Sequence, residues 1–190
     1  RQTATLDELL CALGALIERY AFDGVPNDSL PVPTRVASDS AIAPTVGGAA
    51  AFRRFVADEL IPAVEDRYRV TGERAIVGES LAGLFVLETF LDEPALFRHY
   101  VALDPSVWWN DAAAVDSAPA RLAAMPAAPR SLFLATSNVK EIAEGTARIA
   151  ALLEALSPNG LEWQYTPRPD LTHATIFRAV GPSALASALR

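Results

Sequence analysis

A serine near the middle of the chain has the local sequence of a catalytic nucleophile. Residues 78–83 read GESLAG, so Ser80 has small neighbours and directly follows a short run of apolar residues. A serine on a sharp strand-to-helix turn projects from the carboxyl edge of a sheet. Its neighbours must be small so that the backbones of the strand and the helix can approach each other. The pattern predicts such a nucleophile elbow, with Ala82 in place of the usual glycine. The plainer interpretation is a turn in which Ser80 caps the helix.

A serine hydroxyl needs a base to take its proton, and histidine is the usual one. The chain has two histidines. His99 lies just before the apolar run of residues 100–104, at the amino end of a predicted strand, which favours a structural or solvent-facing role. His173 follows the last predicted strand and a turn-rich stretch, which places it at the same edge as Ser80. We therefore predict His173 as the base.

A third group should orient the imidazole and stabilise its protonated form. The chain order serine, acid, histidine points to the loop after residues 131–135, where Glu141 is the first carboxylate and Glu144 the next. Both would also suit the first turn of a helix, where carboxylates meet the helix dipole favourably. Asp104 is another acid at a strand end, although Pro105 follows it at once. We predict Glu141, and a Ser80–His173 dyad without an acid is the remaining alternative.

The residues around the predicted nucleophile suggest how a substrate would be held. The backbone N–H of Leu81 is placed to stabilise negative charge on a substrate oxygen. Trp108 and Trp109 stand in a loop at the same edge and could wall an acyl or aromatic pocket, or else pack in the core. We assign Glu79, next to the nucleophile, to this pocket as well.

The hydrophobic pattern indicates the elements that position these residues. Apolar runs predict strands at residues 74–78, 100–104, 131–135 and 161–166, and helices lie between them. The helices are predicted at residues 80–91, 113–124 and 142–156, with a last one beginning near Ala174. Such alternation predicts an α/β fold, a three-layer sandwich around a mainly parallel sheet. Earlier helical stripes cover residues 6–20 and 52–68, the second interrupted by Pro62, and residues 20–25 read as a strand.

Composition narrows the function classes. The 190 residues are 51% hydrophobic with a formal charge of −7, which indicates a single domain over residues 1–190. The acidic balance and the lack of a basic run argue against nucleic acid as a partner. One cysteine and two histidines leave little for a metal site, and we expect no cofactor. No membrane-spanning stretch is predicted. The oligomeric state stays open; a cytoplasmic location is favoured, with a periplasmic or secreted one if a signal peptide preceded Arg1.

Three segments together resemble the putative-esterase family of α/β hydrolases, which includes esterase D-like and enterochelin (siderophore) esterase-like proteins. They are residues 78–85 (GESLAGLF), 103–109 (LDPSVWW) and 171–177 (LTHATIF). The resemblance implies Ser80 as nucleophile, His173 as base and a carboxylic ester as substrate. The chain departs from the family at Glu79, where histidine is common, and near Asn138, where the family places an acidic residue.

The resemblance also implies that strands are lacking at the start. In this family a loop after the third strand brings the second oxyanion donor, and residues 20–25 would be the fourth strand. Residues 1–45 are therefore expected to be divergent or truncated. We expect a serine carboxylic ester hydrolase with an acyl-enzyme intermediate. The alternatives are a siderophore esterase or acyltransferase of the same family, and a non-catalytic or partial relative.

Overall fold

The structure, a computed structural model, describes residues 48–188. The chain divides into two compact units, Arg1–Gly72 and Glu73–Arg190. The helix predicted at residues 6–20 and the strand predicted at residues 20–25 lie outside the described residues, as does the whole of the 1–45 region. The single domain over residues 1–190 stays a prediction.

The described part of the first unit is helical. Helix α1 (Ala49–Phe55) continues into a π-helical turn (Val56–Leu60), and helix α2 covers Ile61–Arg67. Pro62 is the second residue of α2 and directly follows the π-helical turn, so its missing N–H falls where the helical hydrogen-bond pattern changes. The kink or boundary predicted at Pro62 in the 52–68 stripe thus coincides with a change of helix type within one continuous helical run.

Within residues 73–188, the second unit is built on a parallel sheet to which four described strands contribute, in the order β1-β2-β3-β4. Four helices alternate with them, and the predicted elements agree with the observed ones to within a few residues. The strands are β1 (Ala75–Glu79), β2 (His99–Leu103), β3 (Arg130–Thr136) and β4 (Leu161–Pro167). The helices are α3 (Leu81–Asp92), α4 (Trp109–Ala123), α5 (Lys140–Leu156) and α6 (His173–Ala188).

The two faces of this sheet are covered by different helices. Alternate residues of a strand point to opposite faces, so Tyr100 and Val101 belong to different hydrophobic clusters. The larger cluster joins the sheet to α3, α4 and α5, and the smaller joins it to α6. The second unit is therefore a three-layer α/β sandwich, and the predicted fold class is confirmed.

Because the strands are parallel, their carboxyl ends meet at one edge of the sheet. Ser80 directly follows β1, Asp104 directly follows β2 and Ser137 directly follows β3. His99, as the first residue of β2, lies at the opposite edge. Among the helices of residues 48–188, none is both long and apolar enough to cross a membrane.

Candidate active site

Ser80 occupies an unusual backbone conformation between β1 and α3. Its φ of 61° and ψ of −125° are sparsely populated for any residue with a side chain. The Ser80 N–H donates to the Leu103 carbonyl at 3.1 Å, and the Ser80 carbonyl accepts the Leu84 N–H at 2.9 Å. These bonds hold the strained residue between the sheet and the first turn of the helix. Ser80 thus lies on the sharp strand-to-helix turn that a nucleophile elbow requires.

Two glycines allow this turn to pack closely. A Cβ on Gly78 would overlap the Ala82 carbonyl, and a Cβ on Gly83 would lie 2.9 Å from the Leu103 oxygen and 3.1 Å from Pro105 Cα. Ala82 replaces the glycine that the motif usually has, and it is exposed, so its methyl group meets no such obstacle. The departure at Ala82 is therefore compatible with the geometry of the turn.

His173 is brought to Ser80 by the start of α6. Thr172 precedes the helix, with its N–H donating to Thr175 Oγ1 at 3.0 Å and its carbonyl accepting the Ile176 N–H at 3.1 Å. This cap makes His173 the first helical residue instead of a loop residue. Its Nε2 lies 3.2 Å from Ser80 Oγ, a distance at which the hydroxyl can donate to the ring nitrogen.

The acid that contacts His173 is Asp104, and not Glu141 as predicted. Asp104 Oδ2 lies 2.6 Å from His173 Nδ1, and the Asp104 side chain is fully buried. Glu141 is exposed in the first turn of α5, where it meets the positive end of the helix dipole. The runner-up, Glu144, is also exposed and lies 3.8 Å from Lys140. The alternative of a Ser80–His173 dyad without an acid is not what the structure shows.

Asp104 is not the acid that the sequence pattern favours, because Pro105 follows it. Proline restricts the backbone of the preceding residue, but it leaves that residue's side chain free. Asp104 takes a left-handed φ of 46°, and its N–H donates to the Ala135 carbonyl at 2.7 Å. The signal that could have found it is an aspartate at the carboxyl end of the buried strand next to the one that carries Ser80.

The backbone N–H of Leu81 lies beside the nucleophile, and its role as an oxyanion donor stays a prediction. Leu81 is the first residue of α3, and the first N–H groups of a helix have no acceptor within it. The Ser106 N–H donates to the Ser80 carbonyl at 3.0 Å, and the two serine hydroxyl oxygens lie 3.4 Å apart. The loop after β2 therefore contacts both ends of the site, with Asp104 at His173 and Ser106 at Ser80.

The two tryptophans assigned to a substrate pocket have different surroundings. Trp109 packs against the larger hydrophobic cluster, whereas Trp108 is exposed, with ring centroids 5.8 Å apart. Residues 110–112, which follow directly, all have left-handed φ angles, so regular right-handed helix in α4 begins after them. Glu79 ends β1 and is half-buried. The core interpretation thus fits Trp109, and the pocket role of Trp108 and Glu79 stays a prediction.

Together the side chains form a continuous line of contacts from Ser80 through His173 to Asp104. With the proton of the neutral imidazole on Nδ1, His173 donates to Asp104 and leaves Nε2 free to accept from Ser80, the arrangement of a serine nucleophile with its base and orienting acid. Across the part of the chain that the structure describes, no three histidine, cysteine, aspartate or glutamate side chains form a metal-binding group.

A parallel three-layer sandwich with this serine turn at the carboxyl edge of its sheet is the fold of the α/β hydrolases. The chain belongs to the family described as "Putative esterase", whose model matches residues 9–142. The resemblance found in the sequence is therefore confirmed.

Curated relatives and solved structures agree with this family. The chain is 44% identical over 68 residues to the ferri-bacillibactin esterase BesA of Bacillus subtilis, which is 35% of this chain and 24% of the relative. It is 41% identical over 68 residues to a siderophore enterobactin esterase of Emericella nidulans, covering 34% and 22% of the two chains. An IroE-like serine hydrolase from Shewanella oneidensis superposes with a TM-score of 0.67 at 27% identity.

The match to the Shewanella protein covers 76% of this chain and 47% of that one. The BES protein from Bacillus cereus has a TM-score of 0.68 at 21% identity, covering 76% and 57% of the two chains, and supports the fold alone. The chain thus spans about a quarter of the curated relatives' length and about half of these solved structures.

Proposed function

We propose that the protein is a serine carboxylic ester hydrolase that acts through a covalent acyl-enzyme. The observation that carries this proposal is the unbroken line of contacts from Ser80 Oγ to His173 and on to Asp104. The strained backbone at Ser80 adds support, because such strain concentrates at functional sites. Membership of the putative esterase family is consistent with it.

In the proposed reaction, Ser80 Oγ attacks the ester carbonyl carbon while His173 Nε2 takes the hydroxyl proton. The Leu81 N–H stabilises the negative oxygen of the tetrahedral intermediate. His173 then gives the proton to the departing alkoxide, which leaves as the alcohol. Water, activated by His173, attacks the acyl-enzyme in the same way and releases the acid. Asp104 accepts a hydrogen bond from the Nδ1–H of His173 throughout, without taking the proton, and stabilises the imidazolium that forms in each half-reaction.

The substrate pocket is part of the same proposal. Trp108 is exposed in the loop after β2, three residues beyond Pro105, where an aromatic face could contact an acyl or aromatic group. Glu79 precedes the nucleophile directly. Both are candidates for contacts with the substrate, whereas Trp109 packs against the larger hydrophobic cluster.

A test of the activity compares Ser80→Ala with Ser117→Ala on a short-chain p-nitrophenyl ester. Ser117 lies on α4 and its hydroxyl bonds only to backbone carbonyls, so it is a matched serine away from the site. We expect Ser80→Ala to lower kcat by about a thousandfold or more, and Ser117→Ala to leave it unchanged. A fluorophosphonate probe should label the wild type and Ser117→Ala but not Ser80→Ala. Equal turnover or labelling in Ser80→Ala would overturn the proposal.

A siderophore ester is a second candidate within this reaction class. It is favoured by the identity shared with the ferri-bacillibactin and enterobactin esterases, whereas the net charge of −7 gives no attraction for an anionic chelate. Assays of the same enzyme with ferri-bacillibactin, enterobactin and p-nitrophenyl butyrate distinguish a siderophore esterase from an esterase for simple esters. Higher kcat/KM on either siderophore supports this substrate class, and hydrolysis of the simple ester alone contradicts it. An alcohol acceptor added to the assay reveals acyl transfer as an ester product.

A further inference from the structure

Ser137 holds the Asp104 carboxylate at both of its oxygens. The residue directly follows β3 and is buried. Its backbone N–H donates to Asp104 Oδ1 at 2.7 Å, and its hydroxyl donates to Asp104 Oδ2 at 2.6 Å. Oδ2 is the same oxygen that accepts the Nδ1 proton of His173. The buried charge of Asp104 is therefore matched by three donors, two of them from Ser137.

The Ser137 hydroxyl is itself oriented by its neighbours. The Val139 N–H donates to Ser137 Oγ at 3.3 Å, which uses a lone pair of the hydroxyl oxygen and leaves its proton for Asp104. The Asn138 N–H donates to the Leu171 carbonyl at 3.0 Å, so this loop is also bonded to the segment just before His173. The loop after β3 thus bonds to Asp104 and to the backbone two residues before His173.

The two donors of Ser137 do different things for the carboxylate. The backbone N–H anchors Oδ1, but a carboxylate held at one oxygen can still rotate. The hydroxyl holds Oδ2, and this second point fixes the carboxylate plane so that a lone pair faces His173. Because Asp104 is fully buried, bulk solvent does not replace a donor that is lost.

We propose that Ser137 is a positioning residue, whose hydroxyl fixes the Asp104 carboxylate in the orientation that His173 requires. This inference rests on the proposed function, since it assigns Ser137 a part in the same reaction. Ser137 touches neither substrate nor the reacting serine, and it acts only through Asp104. Ser137 lies in the loop after β3, where the sequence predicts the acid. Instead of supplying an acid, this loop holds Asp104, which follows the neighbouring strand β2.

A double-mutant cycle tests whether Ser137 acts through Asp104. Ser137→Ala removes the hydroxyl and keeps the backbone donor, and we expect it to lower kcat about tenfold or more with KM within about twofold. In the Asp104→Asn background the same change should lower kcat by less than about twofold, because the group it positions has been disabled. Ser117→Ala serves as the matched control in both backgrounds. An equal loss in both backgrounds, or no loss in either, overturns the proposal.

A spectroscopic measurement separates this inference from the proposed activity. The Nδ1 proton of His173, in its 2.6 Å hydrogen bond, should give a low-field proton NMR signal that Asp104→Asn and His173→Gln abolish. We expect Ser137→Ala to shift this signal upfield or broaden it, and Ser117→Ala to leave it unchanged. An unchanged signal in Ser137→Ala contradicts the positioning role. If the wild type hydrolyses no ester, the proposed function fails, while the signal still decides what Ser137 does to the pair.

Discussion

Two histidines of the second unit each lie between a serine and a carboxylate, at opposite ends of the same strand. At the carboxyl end of β2, His173 contacts Ser80 and Asp104. At its amino end, His99 lies 2.8 Å from Ser131 Oγ through Nδ1 and 3.2 Å from Glu73 Oε2 through Nε2. The second group has a serine, a histidine and a carboxylate as well, with glutamate in place of aspartate, and its serine–histidine contact is the shorter of the two.

Backbone and burial separate the two groups more clearly than distance does. Ser131 lies within β3 and is the direct cross-strand neighbour of His99, so ordinary strand pairing accounts for their contact. Ser80 instead has the strained backbone of a turn and is followed at once by a helix. Strand β3 continues beyond Ser131, so no helix amino terminus follows this serine.

The acids differ as much as the serines. The Asp104 side chain is fully buried, whereas 51% of the Glu73 side chain is exposed, and Glu73 also pairs with Arg98 at 2.9 Å. A carboxylate that is shared with an arginine and screened by solvent interacts weakly with a neighbouring imidazole. The two groups therefore differ not in the kinds of side chain but in the strained backbone of the serine, the helix that follows it and the burial of the acid.

Removing the negative charge from each acid in turn should give the largest contrast between the two groups. Asp104→Asn keeps the size of the side chain but replaces the carboxylate that stabilises the His173 imidazolium, so we expect kcat to fall about a thousandfold or more. Glu73→Gln makes the same chemical change at the exposed acid, and we expect kcat within about twofold of the wild type. Ester turnover and thermal unfolding of both variants provide the measurement. Comparable losses in the two variants would mean that the contrast between the groups is wrong.

A second prediction concerns the dependence of stability on pH. Next to His99 on β2 lies a buried tyrosine, Tyr100. Burial raises the pKa of Tyr100 from 10.0 to about 12, although its bond from the Phe97 N–H opposes the shift. A pKa that is higher in the folded state gives stability that is complete below the unfolded pKa and lost as pH rises through the folded one. We therefore expect the free energy of unfolding to fall between pH about 10 and 12, by at most about 2–3 kcal/mol from this residue.

Urea unfolding of the wild type and Tyr100→Phe across this pH range isolates the contribution of Tyr100. The variant should be less stable near neutral pH, since it loses the hydroxyl bonded to Phe97 and Glu93, but its stability should decline less with rising pH. If the free energy of unfolding falls equally with pH in the two proteins, the loss of stability does not come from Tyr100. Fluorophosphonate labelling at the same pH values shows whether Ser80 loses reactivity only where the sheet unfolds.

The sequence predicted the sheet well because its strands are short apolar runs with clear ends. The strand predicted at residues 131–135 is observed at Arg130–Thr136. The turn at Ser80 could be predicted because a strand pattern precedes it and a helix pattern follows it. His173 could also be predicted, because the chain has only one other histidine and the parallel strands assign the two to opposite edges. These inferences need only periodicity and strand direction.

The choice of acid needed information that spacing does not contain. Asp104, Glu141 and Glu144 all follow carboxyl ends of strands, and which of them reaches His173 depends on the path of each loop. The left-handed φ of Asp104 and its bond to Ala135 are tertiary features that no local pattern indicates. The chain order serine, acid, histidine favours Glu141 as the first carboxylate after β3, but the loop after β3 contacts Asp104 through Ser137 instead of supplying a carboxylate.

Changes at the His99 group itself should have the smallest effect. His99→Gln removes the ring that joins Ser131 to Glu73, and we expect the free energy of unfolding to fall by about 1 kcal/mol, the usual net value of a lost hydrogen bond. Because this group lies at the amino edge of the sheet, kcat should stay within about twofold of the wild type, and Ser131→Ala should behave alike. His173→Gln is the matched histidine change, and it should abolish turnover; because it also removes a donor from the buried Asp104 carboxylate, we expect its stability to fall at least as much as that of His99→Gln. A tenfold loss of kcat in a folded His99→Gln protein would show that the amino edge also influences the chemistry, and the separation between the two groups would then fail.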